Sequence, residues 1–107
     1  MSTPEQRLEI YRKSFERFAG NQGDLARLMD LGGALTNSKR GNISEKLKGV
    51  KGKGISKAEA LAIQLLTVFS TSLAENGHSV SDIEFDEDGF LTKETEQLLK
   101  GLGRSAS

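Results

Sequence analysis

The sequence predicts a mostly α protein of about five helices, with a short strand or β-hairpin near the C-terminus. Three observations favour this class. Signals that start helices recur along the chain, and the first is Thr3-Pro4, a hydroxyl cap followed by proline at the first helical position. Apolar residues then recur at the helical spacings of three and four. The one proline is Pro4, so no later proline interrupts a helix.

The first two helices are predicted from their caps and their apolar faces. Helix one starts at Pro4 and ends before Gly20, and its charged face is interpreted as solvated. Its apolar residues share one face: Leu8, Tyr11, Phe15 and Phe18. Asn21 caps a second helix, which Gly32-Gly33 ends.

The third predicted helix has a thin apolar stripe. It is capped by Asn37 or Ser38 and runs to about Lys48, with only Ile43 and Leu47 available for burial. Because so little of this helix can be buried, we expect its exposed face to be a functional surface. A glycine-rich loop with several lysines follows it, from residue 49 to residue 54.

The fourth predicted helix is apolar nearly all round. Ser56 and Glu59 form a capping box at its start, and Asn76-Gly77 stops it after about Glu75. A helix of this kind is expected to be buried on several sides. Part of the surplus apolar surface could instead form a subunit interface.

The remaining residues predict a strand and a last helix. Ile83 and Phe85 alternate with acids, as in a half-buried strand, and Asp88-Gly89 is a hairpin signal. Thr92 caps a short final helix. We therefore divide the single domain of 107 residues into a helical part, residues 1–75, and a C-terminal extension, residues 76–107.

Charge is balanced overall but uneven along the chain. Fifteen basic and fifteen acidic residues give a formal net charge of zero, yet residues 39–57 hold seven basic residues and only one acid. A local positive field of this kind is typical of proteins that bind nucleic acid. Cysteine is absent, no apolar run could span a membrane, and the start does not follow a signal-peptide pattern. These features predict a cytoplasmic protein.

The stretch from residue 22 to residue 49 resembles the helix-turn-helix of the lambda-repressor-like family of phage and bacterial regulators. The matching residues are Gln22, Leu25-Ala26, Leu28, Asn42-Ile43-Ser44 and Leu47-Lys48-Gly49. The chain departs from the family in its turn, which is longer and has Asp30 where the family has glycine. The resemblance implies that the second helix of the unit enters the major groove of DNA.

The resemblance also implies roles for individual residues. The residues expected to read base edges are Ser38, Lys39, Arg40 and Asn42. Those expected to contact phosphate are Lys46, Lys48, Lys51, Lys53 and Lys57. Separately from the resemblance, surplus apolar surface on the fourth helix and the predicted strand supplies the residues expected to pair two copies, which are Phe69, Leu73, Ile83, Phe85, Phe90 and Leu91. Residues 1–75 are therefore the expected DNA-binding part, and residues 76–107 the expected dimerisation extension. The implied function is a homodimeric, sequence-specific transcriptional regulator of phage or plasmid type, which acts by covering a promoter.

The alternative is a protein-interaction module, such as an antitoxin-like adaptor, that uses acidic residues 82–88 or the surplus face of the fourth helix. An enzyme is not expected, because the chain has one histidine, no cysteine and no nucleophile with a paired base. Glu84, Asp86 and Asp88 have a partial calcium-loop spacing, but Thr95 stands where a glutamate is needed. No metal, cofactor or small-molecule substrate is therefore predicted.

Overall fold

The computed structural model describes residues 3–33, 37–50 and 54–105, excluding the side chains of Asn37, Ser38, Arg40 and residues 103–105. Within these ranges, five α-helices follow one another: α1 (Pro4–Arg17), α2 (Gln22–Met29), α3 (Asn37–Lys48), α4 (Lys57–Glu75) and α5 (Lys93–Ser105). A 3₁₀ turn, Val80–Asp82, lies between α4 and α5. The prediction of a mostly α fold is confirmed. No described helix has the length and apolar character needed to cross a bilayer.

The starts of α1, α2 and α4 are fixed by local hydrogen bonds, as the sequence predicts. The side chain of Asn21 accepts a hydrogen bond from the backbone N–H of Asp24 at 2.8 Å. Ser56 Oγ accepts from the N–H of Glu59 at 3.0 Å, and the Glu59 carboxylate accepts from the N–H of Ser56 at 3.2 Å. Thr3 and Gln6 form the same reciprocal pair ahead of α1. These caps satisfy backbone donors that a helix start leaves without partners.

The longest helix, α4, lies beside α1 and runs in the same direction. Thr67 Oγ1 donates to the backbone carbonyl of Ser14 at 3.0 Å. Just beyond the end of α1, and farther along α4, the backbone N–H of Ala19 donates to Ser70 Oγ at 3.0 Å. Both pairs advance toward higher residue numbers, so the two helices are parallel.

A single hydrophobic core joins all five helices. α3 contributes Ile43, which is buried, while Leu47 is half-buried, so the predicted thin stripe is confirmed. The buried residues are Tyr11, Phe18, Leu25, Ala26, Leu28, Ile43, Ile55, Ala60, Ile63, Leu73, Val80, Ile83 and Leu102. α3 packs mainly on α2 and touches α1, which leaves its remaining face toward solvent.

The predicted C-terminal strand or hairpin is not supported. In the part of the chain that the structure describes, this region contains one isolated antiparallel bridge, Phe85 with Leu91, and no strand. Ile83 is buried and Phe85 half-buried, so their alternation with acids does mark the side turned toward the core. It does not mark a ladder of paired strands.

In this region side-chain hydrogen bonds supplement backbone hydrogen bonds from the N–H of Asp86 to the carbonyl of Phe90 and from the N–H of Thr92 to the carbonyl of Glu84. Asp86 Oδ1 accepts hydrogen bonds from the backbone N–H groups of Asp88 and Phe90, at 2.9 and 3.0 Å, and so closes a tight turn. The backbone N–H of Glu84 donates to Thr95 Oγ1 at 3.0 Å, at the start of α5. Because these backbone donors already have partners, the segment can end after a single bridge.

The prediction that α4 is buried on several sides is wrong for the single chain. Ile63 and Leu73 have no exposed surface, and they face the core. On other sides of the same helix Leu61, Leu65 and Val68 are 57%, 51% and 60% exposed. α4 therefore has a second apolar surface that the fold of one chain does not cover.

Candidate nucleic-acid interface

The four residues predicted to read bases all lie on α3. The ammonium group of Lys39 is bonded to the carboxylate of Asp30, at the end of α2, so Lys39 already has a partner within the chain. Asn42 is exposed on α3. Ser38 and Arg40 lie in the first turn of the helix, but their side chains are outside the described part of the structure.

Lys46, which was predicted to contact phosphate, joins α3 to α4 through an ion pair with Glu59. Burial raises the pKa of the Glu59 carboxyl, but hydrogen bonds from Lys46 and Ser56 outweigh burial and hold that pKa below its usual value. Glu59 is therefore ionised at neutral pH. Because its charge is compensated inside the chain, Lys46 is less suited to contact phosphate than an unpaired lysine.

Two arginines of α1 fix both ends of the basic loop, which we define as residues 49–54. Arg12 Nε donates to the carbonyl of Leu47, just before the loop, at 2.6 Å. Arg7 Nε donates to the carbonyl of Ile55, just after it, also at 2.6 Å. The sequence predicts a solvated face for both arginines and does not predict these contacts. Backbone carbonyls accept both bonds, and no residue type in the sequence marks which carbonyl lies nearby.

The basic loop is flanked by an exposed lysine and contains two more. Lys48, the last residue of α3, is exposed, and no ion pair of this residue is found among the described residues. Lys51 and Lys53 lie outside the described residues.

Lys57 lies apart from this group. It is two residues before Glu59, and successive residues of an α-helix are about 100° apart, so the two side chains point to nearly opposite sides of α4. Glu59 contacts Lys46 on the side of α3. Lys57 therefore faces away from α3, and it is exposed.

We compared the chain with known protein families, curated proteins and solved structures. No family model, curated protein or solved structure matches this chain.

Five of the six residues predicted to pair two copies line one apolar groove, and the sixth, Leu73, does not. Leu73 has no exposed surface and Ile83 is 4% exposed, because both belong to the chain's own core. As they are placed here, neither can contact a second chain. Phe69 and Phe90 are exposed, at 37% and 71%. The other two, Phe85 and Leu91, are half-buried and form the isolated bridge.

An apolar groove of about 610 Å³ opens between α4, the end of α2 and the turn that precedes α5. Leu65 and Phe69 line it from α4, Leu31 lines it from the end of α2, and Phe90 lines it from the turn. Glu96 is the charged residue of its lining. The sequence indicated surplus apolar surface on α4 but not this groove, because the groove arises from packing between distant segments.

Two acids of the segment near the C-terminus, Asp82 and Asp86, make contacts within the chain. Asp86 closes the turn described above, and the imidazole of His78 lies 3.6 Å from the carboxylate of Asp82. Among the described residues, no group of three or more His, Cys, Asp or Glu side chains is placed to hold a metal ion.

Proposed function

We propose that this protein binds double-stranded DNA as a small transcriptional regulator of phage or plasmid type. In this proposal the exposed side of α3 lies against the major groove, and the basic loop contacts the phosphate backbone. Bound at a promoter, the protein would exclude the transcription machinery from that DNA. The chemistry is recognition by charge and hydrogen bonding, without catalysis.

The observation that carries the proposal is the fixing of the basic loop at both ends. Arg12 and Arg7 use their guanidinium groups on the carbonyls of Leu47 and Ile55, and Lys46 and Glu59 join the flanking helices. The chain thus uses three cations internally to hold a segment that carries further lysines.

The order of the helices also supports the proposal. α2 packs against α3, one helix precedes this pair and another follows it, as the resemblance to lambda-repressor-like regulators implies. Among the described side chains of α3, Asn42 and Lys48 are exposed, and Ile43 is buried. Its first turn contains no acid that would repel phosphate.

The geometry narrows the set of contacts. The proposed phosphate contacts are Lys48, Lys51 and Lys53, because Lys46 is paired and Lys57 faces away from α3. The proposed base contacts are Ser38, Arg40 and Asn42, whose side-chain types can hydrogen-bond to base edges. Lys39 is omitted because Asp30 already holds it.

The test is the salt dependence of DNA binding. Lys51→Gln/Lys53→Gln should weaken binding to all duplexes about equally, because phosphate contacts carry no sequence information. The slope of log affinity against log salt should fall by about 0.9 for each phosphate that the variant no longer neutralises. Fluorescence anisotropy with a labelled random duplex, from low to high salt, measures both quantities.

The matched control is Lys93→Gln/Lys100→Gln, which removes the same charge from exposed positions on α5. It should lower affinity only slightly and leave the slope unchanged. If both double variants change the slope equally, the basic loop has no special role. If the wild-type protein does not bind duplex DNA even at low salt, the proposed function is wrong.

A further inference from the structure

The solvent side of α4 carries a heptad stripe, which we call the α4 seam. It consists of Ala58, Leu61, Leu65, Val68 and Ser72, at spacings of three, four, three and four. This is the spacing of the seam along which two helices pack in a left-handed coiled coil. The three central residues are between 51% and 60% exposed.

The seam is separate from the face that α4 uses in its own core. Thr67 and Ser70 are buried and bonded toward α1, and Ile63 has no exposed surface. At about 100° per residue, Leu61 and Val68 lie roughly opposite Ile63 and Ser70 on the helix. A contiguous exposed apolar stripe on a folded chain marks an interaction surface.

The two ends of the α4 seam carry opposite charges. Lys57 precedes the first seam residue and Glu75 follows the last, so the charges stand at the two ends of one helix. Both side chains are exposed, and no ion pair of either is found among the described residues. A partner helix that fits this surface should therefore present an acid near Lys57 and a base near Glu75.

We infer that the α4 seam packs against the same seam of a second copy of this chain, with the two helices antiparallel. In an antiparallel pair, alternate seam positions of one helix meet the other set of positions on its partner. Leu65 then meets Val68 of the second copy, and Leu61 meets Ser72. This register brings Lys57 of each copy close to Glu75 of the other.

The charges at the two ends of α4 favour an antiparallel pair with a second copy of the same helix. A parallel pair would place Lys57 beside Lys57 and Glu75 beside Glu75, and like charges at such a contact are repulsive. The antiparallel pair gives two equivalent ion pairs, because an isologous contact repeats each interaction about its two-fold axis. The register set by the apolar residues and the register set by the charges are the same.

The proposed dimer contact joins two helices that are already folded in the separate chains. α4 is held in place by the core of its own chain, so association does not bear the conformational entropy of ordering a helix. The seam spans only a little over two heptads, fewer than an independent coiled coil requires. The surface therefore fits a reversible dimer of folded chains.

The test is the oligomeric state of the protein without DNA, measured by sedimentation equilibrium over a range of concentrations. Wild type should form dimers that dissociate on dilution. Leu65→Asp should be monomeric at every concentration, because it buries two carboxylates at the centre of the contact. The matched control is Phe90→Asp, which places the same charge on an exposed aromatic position in the turn before α5 and should keep wild-type dimerisation.

Charge exchange tests the direction of the two helices. Lys57→Glu and Glu75→Lys should each weaken the dimer, because each places like charges together twice. The double variant Lys57→Glu/Glu75→Lys should restore it, since the opposite charges meet again in exchanged positions. Circular dichroism of every variant checks that the fold is intact.

Three results would overturn the inference. A wild-type monomer at all concentrations means that this seam does not bind a second copy, whatever other partner covers it. A dimer broken by Phe90→Asp places the contact at the apolar groove that Phe90 and Leu65 line together, and not at the α4 seam. A double charge variant that is no better than the single variants excludes the antiparallel register. None of these measurements depends on whether the protein binds DNA.

Discussion

The hydroxyl of Tyr11 is a polar group in the centre of the core. The residue has no exposed surface, and its Oη has no hydrogen-bond partner in the described part of the structure. Burial raises the pKa of this hydroxyl well above its usual value, and the negative charge of Glu59 raises it further. A buried polar group without a partner lowers the stability of the fold.

Tyr11→Phe is therefore expected to raise the free energy of unfolding by about 1 kcal/mol, because it removes the hydroxyl and keeps the ring. For a domain of this size the midpoint of thermal unfolding should rise by roughly 4–8 °C. Thermal unfolding followed by circular dichroism measures it. Tyr11→Leu is the control, and it should lower stability because the smaller side chain leaves a cavity. A decrease in stability in Tyr11→Phe would show that the hydroxyl has a partner.

At the scale of single side chains, the sequence does not show which lysines already have an acidic partner within the chain. Lys39 and Lys46 were counted as cations available to DNA, because a sequence gives charge but not the partner of that charge. Their acids lie 9 and 13 residues away, at Asp30 and Glu59, and only folding brings each pair together. Asn42 is exposed on α3, as the sequence predicts.

At the level of elements, α3 contains a glycine that the fold does not require. A Cβ atom added to Gly41 would meet no other atom within 4 Å. Gly41→Ala should raise the free energy of unfolding by about 0.5–1 kcal/mol, because alanine loses less backbone entropy in a helix. Urea unfolding of both proteins measures the difference.

The matched control lies at the end of the same helix. Gly49 has a φ of +74°, and a Cβ there would come within 3.0 Å of Leu8. Gly49→Ala should therefore lower stability, by about 1–2 kcal/mol for the left-handed backbone alone. If Gly41→Ala also lowered stability, the helix at that point would differ from the one described.

Helices could be predicted from the sequence where their signals are local. The pair Ser56 and Glu59 forms a capping box within four residues, so the start of α4 follows from the sequence alone. The prediction of a strand is not supported, because strand pairing depends on which groups the backbone meets in the folded chain and not on a signal within a few residues. Ile83 and Phe85 show an alternation that fits a strand, but the segment forms a tight turn closed by the Asp86 side chain, and the N–H of Glu84 donates to Thr95 Oγ1.

α4 shows a second limit of sequence pattern. Its apolar residues predicted burial without distinguishing which of them face the core. Leu73 is fully buried and Leu61 is mostly exposed, although both are leucines of one helix. The position of α1 decides between them, and the sequence pattern of α4 contains no information about that position.

At the scale of the whole molecule, the two proposals together predict the symmetry of the DNA site. An isologous dimer presents two copies of α3 related by a two-fold axis, so the preferred duplex should be an inverted repeat. Selection from a random duplex library, followed by sequencing, identifies the site. Leu65→Asp should lose most of the affinity for that duplex and keep the weak, salt-sensitive binding to random DNA.

The control for this prediction is Phe90→Asp, which should bind the selected duplex as wild type does. Selection of a site without inverted symmetry would contradict the combination of the two proposals. Equal affinity of wild type and Leu65→Asp for the selected duplex would do the same, because two linked half-sites must bind more tightly than one.

The contacts of Arg7 and Arg12 have an entropic consequence for the proposed DNA complex. Closing a loop restricts the chain, and a lysine side chain loses further freedom when it is fixed on a ligand. Because the two arginines fix the ends of the basic loop during folding, the first of these losses precedes any encounter with DNA. Binding then has less freedom left to remove. Two cations that never touch phosphate would in this way raise the affinity of the lysines that do.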